Sequence, residues 1–148
     1  MILPDNTQRN KNITVAFYVL GLIKIAAIVS SFLQAALLSR MEAGNYSTAE
    51  AESNDIRERI IALANLGVLI LCIVLFILWF RRAYNNLNLS GKTVTQFDEG
   101  WAAGAWFVPF LNLGRPYQIM KETWEKTQQA TTNLLTYRKS DIVGWWWA

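Results

Sequence analysis

Lys24 is the only acid or amine inside two long apolar runs, residues 13–38 and 60–80. A charge at such a depth points to ion pairing, a proton relay or solute passage, and the competing reading is a four-carbon stem that carries the ammonium to the headgroups. No acid lies in the second run, so a pair would need Asp98 or Glu99, another helix or another subunit. A second group, Arg82, Tyr84, Asn86, Asn112 and Arg115, gathers after that run. Its guanidinium forks suit a phosphate or other anion, although anchoring, capping and turn roles account for each residue singly. The chain has no histidine and one cysteine, Cys72, so a Cys/His metal site and an internal disulfide are excluded. No cofactor is implied. With no visible nucleophile and base pair, we expect a protein that is not an enzyme.

The elements that must position these residues are set by hydropathy. Residues 60–80 hold no charge, end at Arg81-Arg82, and carry fifteen Ile, Leu, Val or Phe. A helix of that length covers about 30 Å, the hydrocarbon thickness of a bilayer. Residues 13–38 carry fourteen such side chains, which outweigh the ~3 kcal/mol insertion cost of one central lysine. An uncleaved span fits that long, charge-interrupted run better than a signal peptide does. The expected organisation is a polar N-terminal tail over residues 1–12, spans over 13–38 and 60–80, and an external loop over 39–59. A cytoplasmic-side interfacial region follows over 81–140, and residues 141–148 read as the start of a truncated third span. The fold class is all-α: a transmembrane helical hairpin with interfacial or amphipathic helices.

Local signals refine this plan. Ser53, Asn54 and Asp55 offer caps for the second helix. Ala27, Ser31, Ala35 and Ser39 recur every four residues as a small-residue contact face, and Gln34 and Asn65 sit at matching depths suited to an amide hydrogen bond. Residues 100–114 are uncharged, too short to span and interrupted by glycines and Pro109, which suits a helix lying in the interface. Pro116 suits the first turn of an amphipathic helix whose apolar side is expected to carry Tyr117, Met120, Trp124, Thr131 and Leu135.

All seven tryptophans lie at or beyond the end of the second run, and Trp79, Trp101, Trp106 and Trp124 are the expected interfacial anchors. Two basic residues in the tail, three in the loop and eight over 81–139 put the N-terminus and the long segment on the cytoplasmic side of a cell membrane. Basic residues stand beside helix ends rather than in a stripe, so the expected partner is the lipid bilayer and not nucleic acid. A second copy or another membrane protein would complete an assembly.

The motif Trp-Phe-x-Arg-Ala-Tyr-x-Asn-Leu from Trp79 to Leu87 resembles a bacterial integral-membrane family, domain of unknown function 4328. The block Gly-Trp-Ala…Trp-Phe-Val-Pro…Asn-Leu-x-Arg-Pro…Met-x-Glu-x-Trp from Gly100 to Trp124 carries the same resemblance. It implies a helical membrane protein that continues through further helices, and no activity. The sequence thus points to a membrane scaffold or regulatory module. The alternative is a component of a small-solute or ion transporter or channel, using Lys24 and the 100–114 segment.

Overall fold

The computed structural model describes residues 5–90, 94–131 and 142–147. Among these described residues five α-helices run in order: α1 Thr7–Glu42, α2 Thr48–Leu89, α3 Trp101–Gly104, α4 Arg115–Thr131 and α5 Ile142–Trp147, with a 3-10 turn at Leu111–Leu113 before α4. Among the described residues there is no strand. Helices α1 and α2 are both long and apolar enough to cross a membrane. The chain divides into two compact units, one of Lys11–Leu75 and one of the residues up to Asn10 together with those from Phe76 onward.

The first unit is a hairpin, and its polar flanks are helical where a tail and a long loop were expected. Asp5 Oδ1 accepts from the Thr7 N–H at 2.8 Å and starts α1 within the polar tail. At the other end α1 closes in a Schellman motif. Gly44 takes φ 72°, its N–H reaches the Met41 carbonyl at 3.0 Å, and the Asn45 N–H reaches the Arg40 carbonyl at 2.8 Å. Ser47, rather than Ser53, Asn54 or Asp55, then caps α2. Its Oγ accepts from the Glu50 N–H at 3.2 Å while Glu50 Oε2 accepts from the Ser47 N–H at 3.3 Å, a reciprocal capping box. Those bonds and Arg40, at 3.1 Å, hold the exposed Glu50 carboxyl below its ordinary pKa. Two local stops, Gly44 and Ser47, shorten the connection to residues 43–47.

Register across the hairpin follows a heptad. On α1 the buried and half-buried positions are Ile13, Ala16, Leu20, Ile23, Ala27, Ser30, Gln34, Leu37 and Met41; on α2 they include Ala51, Asn54, Glu58, Ile61, Asn65, Val68, Cys72 and Leu75. Both series advance by alternating threes and fours, the 3.5-residue period of an antiparallel coiled-coil seam. Ser30 fixes the alignment, donating to Glu58 Oε1 at 2.5 Å and accepting from Arg57 Nε at 2.8 Å. Arg57 Nη2 also donates to Asn54 Oδ1 at 2.5 Å. Stepping from this layer along both helices sets Gln34 level with Asn54, and Asn65 level with Ile23.

Two expectations are thereby corrected. The Gln34–Asn65 bond does not form, and Asn65 Oδ1 is buried without a hydrogen-bond partner. Of the small-residue stripe only Ala27 lies in the seam, while Ser31, Ala35 and Ser39 are exposed. Steps of four drift about 40° per step around a helix of 3.6 residues per turn, so such a stripe leaves the contact face within two turns.

The outward faces of the hairpin are apolar. Leu22, Phe32 and Leu63 are 67%, 74% and 64% exposed, and only 17% and 6% of the most apolar windows of α1 and α2 are buried, whereas the core helix of a soluble protein is mostly buried. A few polar side chains, Ser30, Gln34, Asn54, Glu58 and Asn65, sit among apolar ones in the seam, while much of the hydrocarbon faces outward.

The second unit has an aromatic core. Phe80, Tyr84 and Leu87 share one face of α2 and are buried with Ala102 of α3 and Ile119 of α4, and Phe76, Trp79, Phe97, Trp106 and Met120 pack around them. The 100–114 segment is not one helix. Gly104 ends α3, and 3-10-type bonds from Trp106 to Ala103 and from Phe107 to Gly104 tighten the chain before Pro109. Phe110 then takes φ 69°, a left-handed conformation costly for a bulky side chain. On α4, Pro116 lies in the first turn as expected, but the buried side is Pro116, Ile119 and Thr123, and Trp124 is 40% exposed. Helix α5 packs on α4, and Trp147 meets Trp106 and Tyr117 at ring distances of 6.2 and 6.1 Å. Leu135, Asp141 and Ala148 lie outside the described residues.

Candidate functional site

Two polar constellations stand in the second unit. The first is a clasp around Glu122. Tyr84, fully buried on α2, donates its hydroxyl proton to Glu122 Oε2 at 2.6 Å and accepts from the Phe97 N–H at 3.0 Å. Glu122 Oε1 accepts from the Gln96 N–H at 2.6 Å and from Lys126 Nζ at 2.5 Å, one turn further along α4. Lys126 also donates to the Val94 carbonyl, so one carboxylate and one ammonium hold the 94–97 strand of loop against two helices.

The electrostatics follow from those contacts. Burial alone would raise the Glu122 pKa, but the bonds from Lys126, Tyr84 and Gln96 outweigh it and hold the carboxyl below its ordinary value. Burial, with Glu122 as acceptor, pushes the Tyr84 phenol up to about 12. A phenol so bound is a fixed structural donor at neutral pH. Of the residues expected to gather at an anion, Tyr84 is therefore committed to this clasp.

Arg115 is committed too. Its guanidinium lies 4.4 Å from the Phe97 ring centroid and 5.5 Å from that of Trp101, a cation–π sandwich at the start of α4. Asn112 is exposed in the 3-10 turn and Asn86 is half-buried on α2. Trp106, expected as an anchor, turns inward. Its ring meets Phe76 edge-on at 5.6 Å and its indole N–H donates to the Ala102 carbonyl at 3.2 Å, so no polar handle is left for headgroups. Trp79 is likewise half-buried, 6.0 Å from Phe76. Trp101 is exposed, and the most exposed side chains of this segment are Phe107, Phe110 and Leu113, at 72%, 88% and 75%. Their spacing of three along a tightly turned segment was the readable signal.

The second constellation is a crevice of about 210 Å³ lined by Arg9, Leu78, Arg81, Arg82, Asn85 and Glu99. Leu78, Arg81, Arg82 and Asn85 fall on one face of α2 by their spacing, and Arg9, in the first turn of α1, donates to the Leu78 carbonyl at 2.7 Å. Nearby, Asn6 Nδ2 donates to the Trp79 carbonyl at 3.4 Å. Arg81 pairs with Glu99 at 3.2 Å. Of the expected anion contacts, only Arg82 lines this crevice. Lys24 belongs to the hairpin unit, exposed on α1 with no ion pair to it among the described residues.

Over the described residues, fold and sites together define a helical protein with two candidate membrane spans and an arginine-edged, aromatic-cored unit. The chain belongs to the family described as Domain of unknown function (DUF4328), whose model matches residues 42–148, from the end of α1 onward. No curated protein and no solved structure matches it. The motif residues Phe80, Tyr84 and Leu87, with Arg115 and Glu122 of the later block, are those that build the core, the cation–π stack and the clasp.

Proposed function

We propose that this protein is a multi-pass membrane protein of the cell membrane, with its N-terminus and the region after the second span on the cytoplasmic side. In this reading it acts as a non-enzymatic scaffold or regulatory module. The observation that carries it is the inverted hairpin, whose outward faces are hydrocarbon and whose seam holds Ser30, Asn54, Arg57 and Glu58. An exposed apolar surface of that extent is stable only where lipid or another apolar surface replaces water. The outward Phe107, Phe110 and Leu113 suit insertion into the cytoplasmic interface. The clasp supports a binding or organising role, since its phenol and carboxylate are held by partners rather than poised for proton transfer.

Topology is tested with single cysteines in intact cells, in a Cys72→Ser background. A cysteine replacing Ser47 should react with an impermeant maleimide and one replacing Ser90 only after permeabilisation; the opposite pattern reverses the orientation.

The transport alternative is tested at Lys24. It lies six residues from Ser30, about 9 Å along α1, at an exposed position flanking the seam. Lys24→Leu should leave insertion, assembly and host phenotype unchanged. Intact assembly with lost solute flux would instead assign a transport role and remove the scaffold reading.

A further inference from the structure

We propose that the Arg9–Arg81–Arg82 crevice is a binding site for an anionic phosphate group, either the headgroup of an acidic phospholipid or free phosphate. Three guanidiniums line it, and among the described residues Glu99 is the one carboxylate that does. Two positive charges therefore stand uncompensated by the lining. Arg82 lines the crevice, is half-buried, and its Nε is buried without a hydrogen-bond partner, so the side chain's bonding capacity is unmet. Arg9 is held in place by the Leu78 carbonyl, so its remaining donors are positioned rather than free to wander. The Arg81–Glu99 pair is about half exposed, at 54% and 36%, and weak enough for a phosphate to compete with the carboxylate for the guanidinium.

Size and chemistry select the ligand. At about 210 Å³ the crevice is smaller than the roughly 300–1,000 Å³ of pockets for drug-sized molecules, and suits a compact group. Guanidinium forks match phosphate oxygens bidentately, and Asn85 adds an uncharged amide donor for a further oxygen. The basic residues lie at the end of the uncharged run 60–80, where a span meets the headgroups.

The test uses the full chain in a zwitterionic detergent. Retention of phosphatidylglycerol and phosphatidylcholine is read by native mass spectrometry, and inorganic phosphate binding by calorimetry. Phosphatidylglycerol should be retained over phosphatidylcholine, and Arg9→Gln combined with Arg82→Gln should weaken the preferred ligand about tenfold or more, as loss of charge-assisted bonds requires. Arg59→Gln, the loss of one positive charge outside the crevice, should not.

If the double variant fails to fold, Asn85→Asp, which adds a carboxylate while keeping all three arginines, should give the same loss. Binding of inorganic phosphate with the same arginine dependence assigns the site to free phosphate; lipid retention without phosphate binding assigns it to the headgroup. The proposal is overturned if the folded double variant or Asn85→Asp binds like the parent. It is equally overturned if Arg59→Gln loses as much, or if neither anionic probe binds in preference to phosphatidylcholine.

Discussion

Replacing Phe80 with Ala is expected to destabilise the aromatic-cored unit by ~3–5 kcal/mol, the cost of deleting a buried phenyl whose cavity only partly collapses. Phe80 is fully buried, stacks on Phe76 at 5.8 Å and meets Trp106 edge-on at 6.5 Å. No polar atom is exposed by its loss, so the effect is one of packing and ring geometry. Hydrogen exchange in detergent should show protection falling in α3 and α4 while the seam residues of the hairpin keep theirs. Equal protection in the variant and the parent would show that this cluster does not hold the unit together.

The second large effect lies at Glu122, whose side chain is 9% exposed. Every partner of its carboxylate is a donor: the Tyr84 hydroxyl, the Gln96 N–H and the Lys126 ammonium. Glu122→Gln keeps the shape but sets an NH2 group against a donor, so a loss of ~1.5–3 kcal/mol is expected from a charge-assisted bond replaced by an unpaired buried group.

The pH dependence has a definite sign. The Glu122 pKa is depressed from 4.5 in the folded state, so its contribution is full above pH 4.5 and lost as pH falls through the lower folded value. The Tyr84 pKa is raised from 10.0 to about 12, so its contribution is full below pH 10 and lost as pH rises through about 12. Denaturation followed by tryptophan fluorescence should show a plateau between these limits in the parent. Glu122→Gln should diminish the acid limb, to which Glu50 also contributes, and Tyr84→Phe should diminish the alkaline one. A Glu122→Gln protein as stable as the parent, with the same acid limb, would show that the clasp contributes nothing.

Much of this arrangement was legible in the residues. The runs 13–38 and 60–80 announced two long helices because hydropathy sums over twenty positions and tolerates a single lysine. Pro116 marked the start of α4 because its missing N–H and fixed φ suit only a first turn. The motif from Trp79 to Leu87 placed Phe80, Tyr84 and Leu87 on one helical face by spacing alone. The hairpin stops were equally local, in Gly44 and in the Ser47…Glu50 box, but the polarity of residues 39–59 suggested a longer loop than two capped helices need.

What one-dimensional reading missed depends on partners distant in the chain. The seam of Ser30 with Arg57 and Glu58, the Tyr84–Glu122 bond and the Arg9–Leu78 contact join residues that no local rule relates. Trp106 turns inward because Phe76, thirty residues earlier in the chain, supplies a ring face, and a local bond to the Ala102 carbonyl then engages its indole N–H.

By itself, the sequence determined that the chain is helical, which stretches suit hydrocarbon, and where the helices of the second unit begin. Those outcomes follow from side-chain period, capping and transfer free energy, each a property of neighbours within a few turns. Tertiary structure alone decided the register of the hairpin, the inward turn of Trp106, the engagement of Tyr84 and Arg115, and the convergence of Arg9 with Arg81 and Arg82. The physical reason is that hydrogen bonds and ring contacts are short-ranged in space and blind to separation along the chain, so their partners exist only once the helices have packed.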